Sequence, residues 1–441
     1  MAQNQTKTPS EETMQPAGLA ARRAAVEILV SVLDRRQFLG DAISQNTALK
    51  YMPANDRAFA RLLVSTVLRR LPEIDQAFQQ FLERPLPKNP KKLFQLLRTG
   101  TAQLLFLKMP PHAVVNTSVE LVSEFQNNKF KGLINAILRK VATIKNEAEN
   151  PAKLNTPDWL WKSWVGQYGE DSATAIGLQH LANPPIDISA KEKPIFWAQS
   201  LGAELLPTGT IRLTAGGHPS EWAGFEGGHW WIQDAAAAIP VKLLGDIAGK
   251  TVIDLCAAPG GKTAQLVNAG ATVTAVDISG TRITRLESNL ARMQMSAKTI
   301  VADLRQWRPN DPADIVLLDA PCTATGTCRR HPDILRLRNE SDVEKLTAVQ
   351  STLLDAAAEM VTPGGLLLYV TCSLQPQEGP DQISSFLNRH SNFHRARFDV
   401  SVCKTLESAF SADGSFRTLP SHWSNRGGMD GFFAVVLKRF L

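Results

Sequence analysis

The chain has 441 residues, 44% of them apolar and 20% charged, with five cysteines and a formal net charge of +6. That length predicts two or three domains and the composition excludes global disorder. No run approaches the ~18 uninterrupted apolar residues of a membrane helix, and a sparse, odd cysteine count argues against a disulfide framework and for a reducing cytoplasm.

The charge is uneven. Residues 1–150 hold 21 Lys and Arg against 13 Asp and Glu, whereas the rest hold 27 against 29. A basic module joined to a near-neutral one suits a polyanion partner, nucleic acid foremost, although a solvated helical surface gives the same imbalance.

Taken in chain order, the first 18 residues are polar and lack the apolar core of a secretory signal, so 1–16 read as a disordered lead-in. Residues 17–148 read as all-helical. In 19–35, Ala20, Ala24, Ile28 and Val32 recur at a spacing of four, with Leu29 and Leu33 beside them. Asn55-Asp56 cap a second helix. Pro85-Leu86-Pro87 and Pro110-Pro111 separate the next segments, and the last (130–144) pairs an apolar face with Lys131, Arg139 and Lys140, candidate RNA contacts. Residues 149–228, rich in Trp, Pro and Gly, read as a small α+β connector with short strands near IDISA, TIRLTAG and HWWIQD.

From 229 to 441 strands alternate with helices: TVIDLC (251–256), ATVTAVDIS (271–279), TIVAD (299–303), ADIVLLDAP (313–321), GGLLLYVTCS (364–373) and GFFAVVLKRF (431–440). Such alternation implies an α/β fold with a mostly parallel sheet covered by helices on both faces, binding ligands beyond the carboxyl ends of its strands. The first of these strands runs into DLCAAPGGKT, Asp254 to Thr263. Its small residues let backbone approach a ligand, but the spacing is neither G-x-G-x-x-G nor a phosphate loop. The second strand ends in Asp277, suited to a ribose diol, and the third in Asp303, suited to an adenine amine. An adenosine ligand without a diphosphate, S-adenosylmethionine rather than NAD, fits this series; strand-end turn formation is the plainer use of any one acid.

The fourth strand ends in Asp319-Ala320-Pro321-Cys322 and the fifth in Thr371-Cys372-Ser373, placing two thiols and a carboxylate at one sheet edge. A thiolate can add to C6 of a pyrimidine and make C5 nucleophilic toward a methyl donor. Asp319 can bond N3 and the exocyclic amine of cytosine, and the second thiol can assist loss of the C5 proton; two inert buried cysteines are the alternative. Cys256 and Cys403 read as inert, and Cys328 stays open. Arg329 and Arg330 are candidates to clamp RNA phosphates. No metal-ligand spacing is present.

DLCAAPGGKT, DAPC, TATG…RRHPD and TCS together resemble the Sun/NOP family of RNA 5-methylcytosine methyltransferases, over roughly 229–441. RRAAVEIL, FARLLVSTVLRR, QLLFLKMPPHAVVN and KGLINAILRK resemble the NusB-like RNA-binding helical domain. The combination is similar to the bacterial branch of that family acting on 16S ribosomal RNA. The resemblance implies a class I S-adenosylmethionine-dependent methyltransferase with a Rossmann-like, seven-stranded sheet. It implies Cys372 as nucleophile, Cys322 as product-release thiol and Asp319 as base contact. It places the cofactor on Cys256, Ala257, Ala258, Pro259, Gly260, Gly261, Lys262, Asp277, Arg282, Asp303 and the facing side of Asp319. A monomer acting on 16S ribosomal RNA, with no membrane and no obligate protein partner, is the expectation; a transfer RNA substrate and a non-catalytic RNA-binding factor are the alternatives. Two departures stand out: Ile186 to Ser189 (IDIS) replaces a common Arg-x-Asn element, and Asp303 lacks flanking glycines.

Overall fold

The computed structural model describes residues 18–86, 91–145, 148–213, 217 and 219–441. The lead-in expected at 1–16 lies outside them, as do Pro87 and the tail of the strand expected at TIRLTAG. The chain divides into two compact units, 1–147 and 148–441.

The first unit is helical: Leu19–Leu29, Ala54–Arg69, Leu71–Gln79, Lys91–Leu105, Pro111–Glu124 and Lys131–Val141, with short helices Leu39–Gln45 and Thr47–Tyr51. Ala24, Ile28, Leu29 and Val32 are buried, as their spacing requires, whereas Ala20 and Leu33 are half-buried. Pro111 starts its helix where a missing N–H costs nothing. Part of the unit's positive charge is internal. Arg22 is buried, donates to Gln103 and lies over the Phe59 ring, Arg69 is also buried, and Arg98 makes a bidentate pair with Asp75. The count over 1–150 therefore overstates the charge available to a polyanion.

The second unit holds two sheets. The small one comprises β1 (Ile186–Ala190), β2 (Glu204–Leu205), β3 (Ile211–Leu213) and β4 (Trp230–Ile232), in the order β2-β3-β1-β4, all antiparallel. Since β4 pairs with β1, the expected boundary at 228/229 cuts through this sheet. The large sheet is built from β5 (Thr251–Leu255), β6 (Thr272–Asp277), β7 (Lys298–Val301), β8 (Ala313–Asp319), β9 (Val361–Thr371), β10 (Phe393–Arg395), β11 (Phe416–Arg417) and β12 (Phe433–Arg439). Its order is β10-β12-β9-β8-β5-β6-β7, with β11 also paired to β12. Six of these strands stand where the sequence placed them; β10 and β11 were not placed, and the eight exceed by one the seven that the resemblance implied. β7, β6, β5, β8 and β9 are parallel; β12 is antiparallel to β9, β10 and β11.

Alternate residues face opposite cores. Ile253, Val316, Leu318, Val435 and Leu437 pack on one face, and Val252, Ile315, Leu317, Ala434 and Val436 on the other. Burial on both faces explains why these strands read as continuous apolar runs. No helix among the described residues is long and apolar enough to cross a membrane.

Candidate active site

Parallel pairing of β6, β5, β8 and β9 brings their carboxyl ends to one edge, where a cavity of about 650 Å³ opens. Its walls include Cys256 after β5, Asp277 ending β6, Asp303 after β7, Asp319 ending β8, and Cys322 and Cys372 from the two following loops.

The loop after β5 turns tightly. Cys256 has a φ of 57° and Gly260 one of 100°, a left-handed conformation that favours glycine. A Cβ on Gly260 would also sit 2.8 Å from the Leu286 side chain. Of the seven loop residues, Cys256 and Ala258 line the cavity, whereas Ala257, Pro259, Gly260 and Gly261 shape the turn behind it. Lys262 is not among the cavity walls but bonds one of them. Its Nζ donates to Asp319 at 2.8 Å and lies over the Phe432 ring, placing a cation beside the carboxylate next to the thiols.

Asp277 is buried, accepting the Ala258 and Ser279 N–H groups at 3.2 and 3.0 Å. Arg282 clips this arrangement, pairing with Asp277 at 3.2 Å and donating to the Ala258 carbonyl. Asp303 is held by Arg305, whose hydrogen bonds and charge keep its carboxyl down at about 2. Ile278 and Val349 present apolar surface at the cavity though 64% and 43% exposed. Two acids beside apolar side chains are a lining able to hold an adenosine, the acids accepting from hydroxyl or amine groups and the apolar side chains meeting the ring.

Cys322 Sγ and Cys372 Sγ lie 3.4 Å apart. Cys372 is half-buried and Cys322 buried. The neighbouring Cys372 sulfur, then burial, push the Cys322 thiol well up, so it keeps its proton near neutrality. Gly326 of the TATG segment seals the thiol loop. Its N–H donates to the Cys372 carbonyl at 2.9 Å, and its own carbonyl accepts from Gly431 at 2.8 Å. A Cβ on Gly326 would lie 2.0 Å from the Gly431 oxygen, so only glycine fits.

The other cysteines sit apart from this pair. Burial pushes the Cys256 thiol up to about 12, although it touches the cavity. Cys328, open in the sequence, is fully buried, its thiol donating to the Thr325 carbonyl. Cys403 is buried in the core. Among the described residues no group of three or more His, Cys, Asp or Glu is placed to hold a metal ion.

Two arginines expected at RNA phosphates are committed inward. Arg329 is 1% exposed and bonds both Asp234 and Asp430; Arg330 bonds Asp430 with two nitrogens. The Arg329 guanidinium is buried out of reach of a phosphate, whereas Arg330 is only half-buried, its Nε and Nη2 spent on Asp430. Likewise, Asp187 of the IDIS stretch is buried and bidentate to Arg212 at 2.7 Å. This departure from Arg-x-Asn is therefore an internal brace. On the helical unit, Arg139 and Lys140 are exposed and Lys131 half-buried.

Beneath the site, Asp254 is fully buried. One carboxylate oxygen accepts from Thr263 at 2.6 Å and the other has no hydrogen-bond partner among the described residues. Burial raises its pKa from 3.8 to about 7, partly offset by the Thr263 bond. A group raised on folding contributes stability present below the unfolded value and lost as pH climbs through the folded one. Asp254→Asn should therefore gain on the wild type as pH rises from 5 to 8, by an amount on the order of a few kcal/mol. Urea midpoints at the two pH values check this; an unchanging difference would contradict it.

A family model described as 16S rRNA methyltransferase RsmB/F matches residues 241–438, and one described as NusB family matches 19–143. The Ribosomal RNA small subunit methyltransferase B of Pectobacterium carotovorum subsp. carotovorum (strain PC1) is 34% identical over 391 residues, 84% of this chain and 90% of that protein. Among solved structures, PH0851 aligns with 98% of this chain and 100% of its own, with a TM-score of 0.77 and 24% identity. NSun6 from Pyrococcus horikoshii with SFG aligns with 65% of this chain and 98% of its own, with a TM-score of 0.55 and 18% identity. These two share the fold. With the shared fold and a similarity that covers 84% of the chain in agreement, the chain belongs to the RsmB/F family of 16S ribosomal RNA methyltransferases, with a NusB-family helical domain preceding the methyltransferase fold.

Proposed function

We propose that this protein methylates C5 of a cytosine in 16S ribosomal RNA from S-adenosylmethionine, through a covalent Cys372–C6 adduct resolved with help from Cys322. The observation that carries this reading is the sulfur pair, 3.4 Å apart, opening with Asp319 onto the same cavity as Asp277 and Asp303.

S-adenosylmethionine supplies an electrophilic methyl group on a sulfonium. Cys372 adds as thiolate to C6 and the C5–C6 π pair moves to C5, which takes the methyl group. Asp319, one oxygen paired to Lys262, offers its other oxygen to the exocyclic amine of the base. The C5 proton then leaves, its bonding pair rebuilds the C5–C6 double bond, and the Cys372 thiolate departs. Cys322 is a thiol while Cys372 is free. Once that sulfur is bonded to carbon, the largest cause of the raised Cys322 pKa is gone; Cys322 then gives its own proton to water and, as a thiolate, takes the proton from C5. The target base must leave its stack to be attacked on its face, and Lys131, Arg139 and Lys140 would hold neighbouring phosphates.

The test is bisulfite sequencing of 16S RNA treated with enzyme and S-adenosylmethionine. One cytosine should become protected. Label incorporated with no cytosine protected, or label in transfer RNA alone, would overturn the assignment.

A further inference from the structure

Glu378 has no place in the chemistry above, yet it is the residue to which both thiol loops are tied. It lies seven residues after Thr371, in the short turn Pro376–Glu378, and is fully buried. Thr323, which follows Cys322, gives it two donors: the N–H at 2.8 Å and the hydroxyl. Ser373, which follows Cys372, donates its hydroxyl at 2.5 Å. Gln350 adds its amide at 3.0 Å and ties the Pro321 carbonyl at 2.9 Å. The Glu378 carbonyl accepts from the Tyr369 and Thr371 hydroxyls of β9.

We propose that Glu378 is the positioning residue that sets the distance between the Cys322 and Cys372 sulfurs. Four donors converge on its two oxygens: the Thr323 N–H and the Gln350 amide on one, the Thr323 and Ser373 hydroxyls on the other, and an ionised carboxylate accepts all four at once. A glutamine of the same shape keeps a single acceptor oxygen and no charge, so the two hydroxyls must reverse to accept its N–H₂ and the charge-assisted bonds to both loops are lost. Thr323 and Ser373 are each joined by one peptide bond to a reacting cysteine, so a shift of the carboxylate moves the sulfurs directly. A plain structural plug would need neither acceptor character nor attachment to both loops. The inference rests on the two-thiol reading of the reaction, but the sulfur spacing it concerns can be measured without that reaction.

The experiment uses the full chain and the azo oxidant diamide. Two thiols give up two protons and two electrons, the sulfurs join, and diamide is reduced to the hydrazine. Peptide mapping reports the rate of Cys322–Cys372 closure. Glu378→Gln, folded by circular dichroism, should close at least tenfold more slowly than wild type. Its kcat for RNA methylation should fall at least tenfold, with KM for S-adenosylmethionine within about twofold. Closure at the wild-type rate overturns the proposal. Should Glu378→Gln fail to fold, Ser373→Ala decides: removing one gripping hydroxyl should slow closure about threefold, and an unchanged rate overturns the proposal equally. Methylation that survives loss of Cys372 would defeat the proposed reaction while leaving the closure rate to judge Glu378.

Discussion

Cys322→Ala should leave RNA covalently attached to the protein, visible as a retarded band in denaturing gels, whereas Cys372→Ala should form no adduct and lose activity by three orders of magnitude or more. The asymmetry follows from which sulfur is free. Cys372 is the more exposed of the two, whereas Cys322 is buried and held protonated by its neighbour. Removing the nucleophile leaves positioning alone, and losses of about 10⁴–10⁶ are usual for such groups. Without Cys322, addition and methyl transfer proceed and elimination stalls. Turnover by Cys372→Ala near the wild-type rate, or adducts of equal yield in both variants, would reverse the assignment.

Asp430→Asn should be among the most destabilising conservative changes in the methyltransferase unit. Asp430 is fully buried and answers Arg329 and Arg330; Asp234 answers Arg329 from the other side. Burial works against the Arg329 charge, but the two carboxylates outweigh it and raise its pKa. Removing one partner of such a group costs roughly 3–5 kcal/mol, because the charge left behind is inside the protein. A fall in melting midpoint of roughly 10 °C is the expected scale. At temperatures where the variant is folded, the slope of log RNA affinity against log salt should match wild type. Arg139→Ala and Lys140→Ala should each reduce that slope by about one. A normal midpoint with a reduced slope for Asp430→Asn would return Arg329 and Arg330 to the RNA surface.

These arginines show where sequence reading runs out. The acids ending β6 and β8, and the thiols after β8 and β9, were legible because a strand has period two and its end is marked by turn residues. Parallel order then puts all of them on one edge. Arg329 carries no local mark of its partners, since Asp234 and Asp430 lie about a hundred residues away on either side. A run of positive charge read along the chain does not distinguish a displayed side chain from a buried one. The same blindness hid the Lys262–Asp319 bond, whose partners lie 57 residues apart, and Glu378, which meets two loops at once. The edge at 228/229 followed a change in composition, whereas β4 belongs by hydrogen bonding to what precedes it.

Gly326 and Gly431 approach so closely that no side chain fits between them, and the Cys372 carbonyl is tied into the same contact. The proposed nucleophile is thus anchored by a backbone contact, and interiors packed this way have little room to yield. If the enzyme's half of the encounter is rigid, the search for alignment falls to the nucleic acid. Sites where the cytosine already tends to swing free, in immature or locally melted RNA, would then react first, and the timing of modification would report on how far the ribosomal subunit has folded.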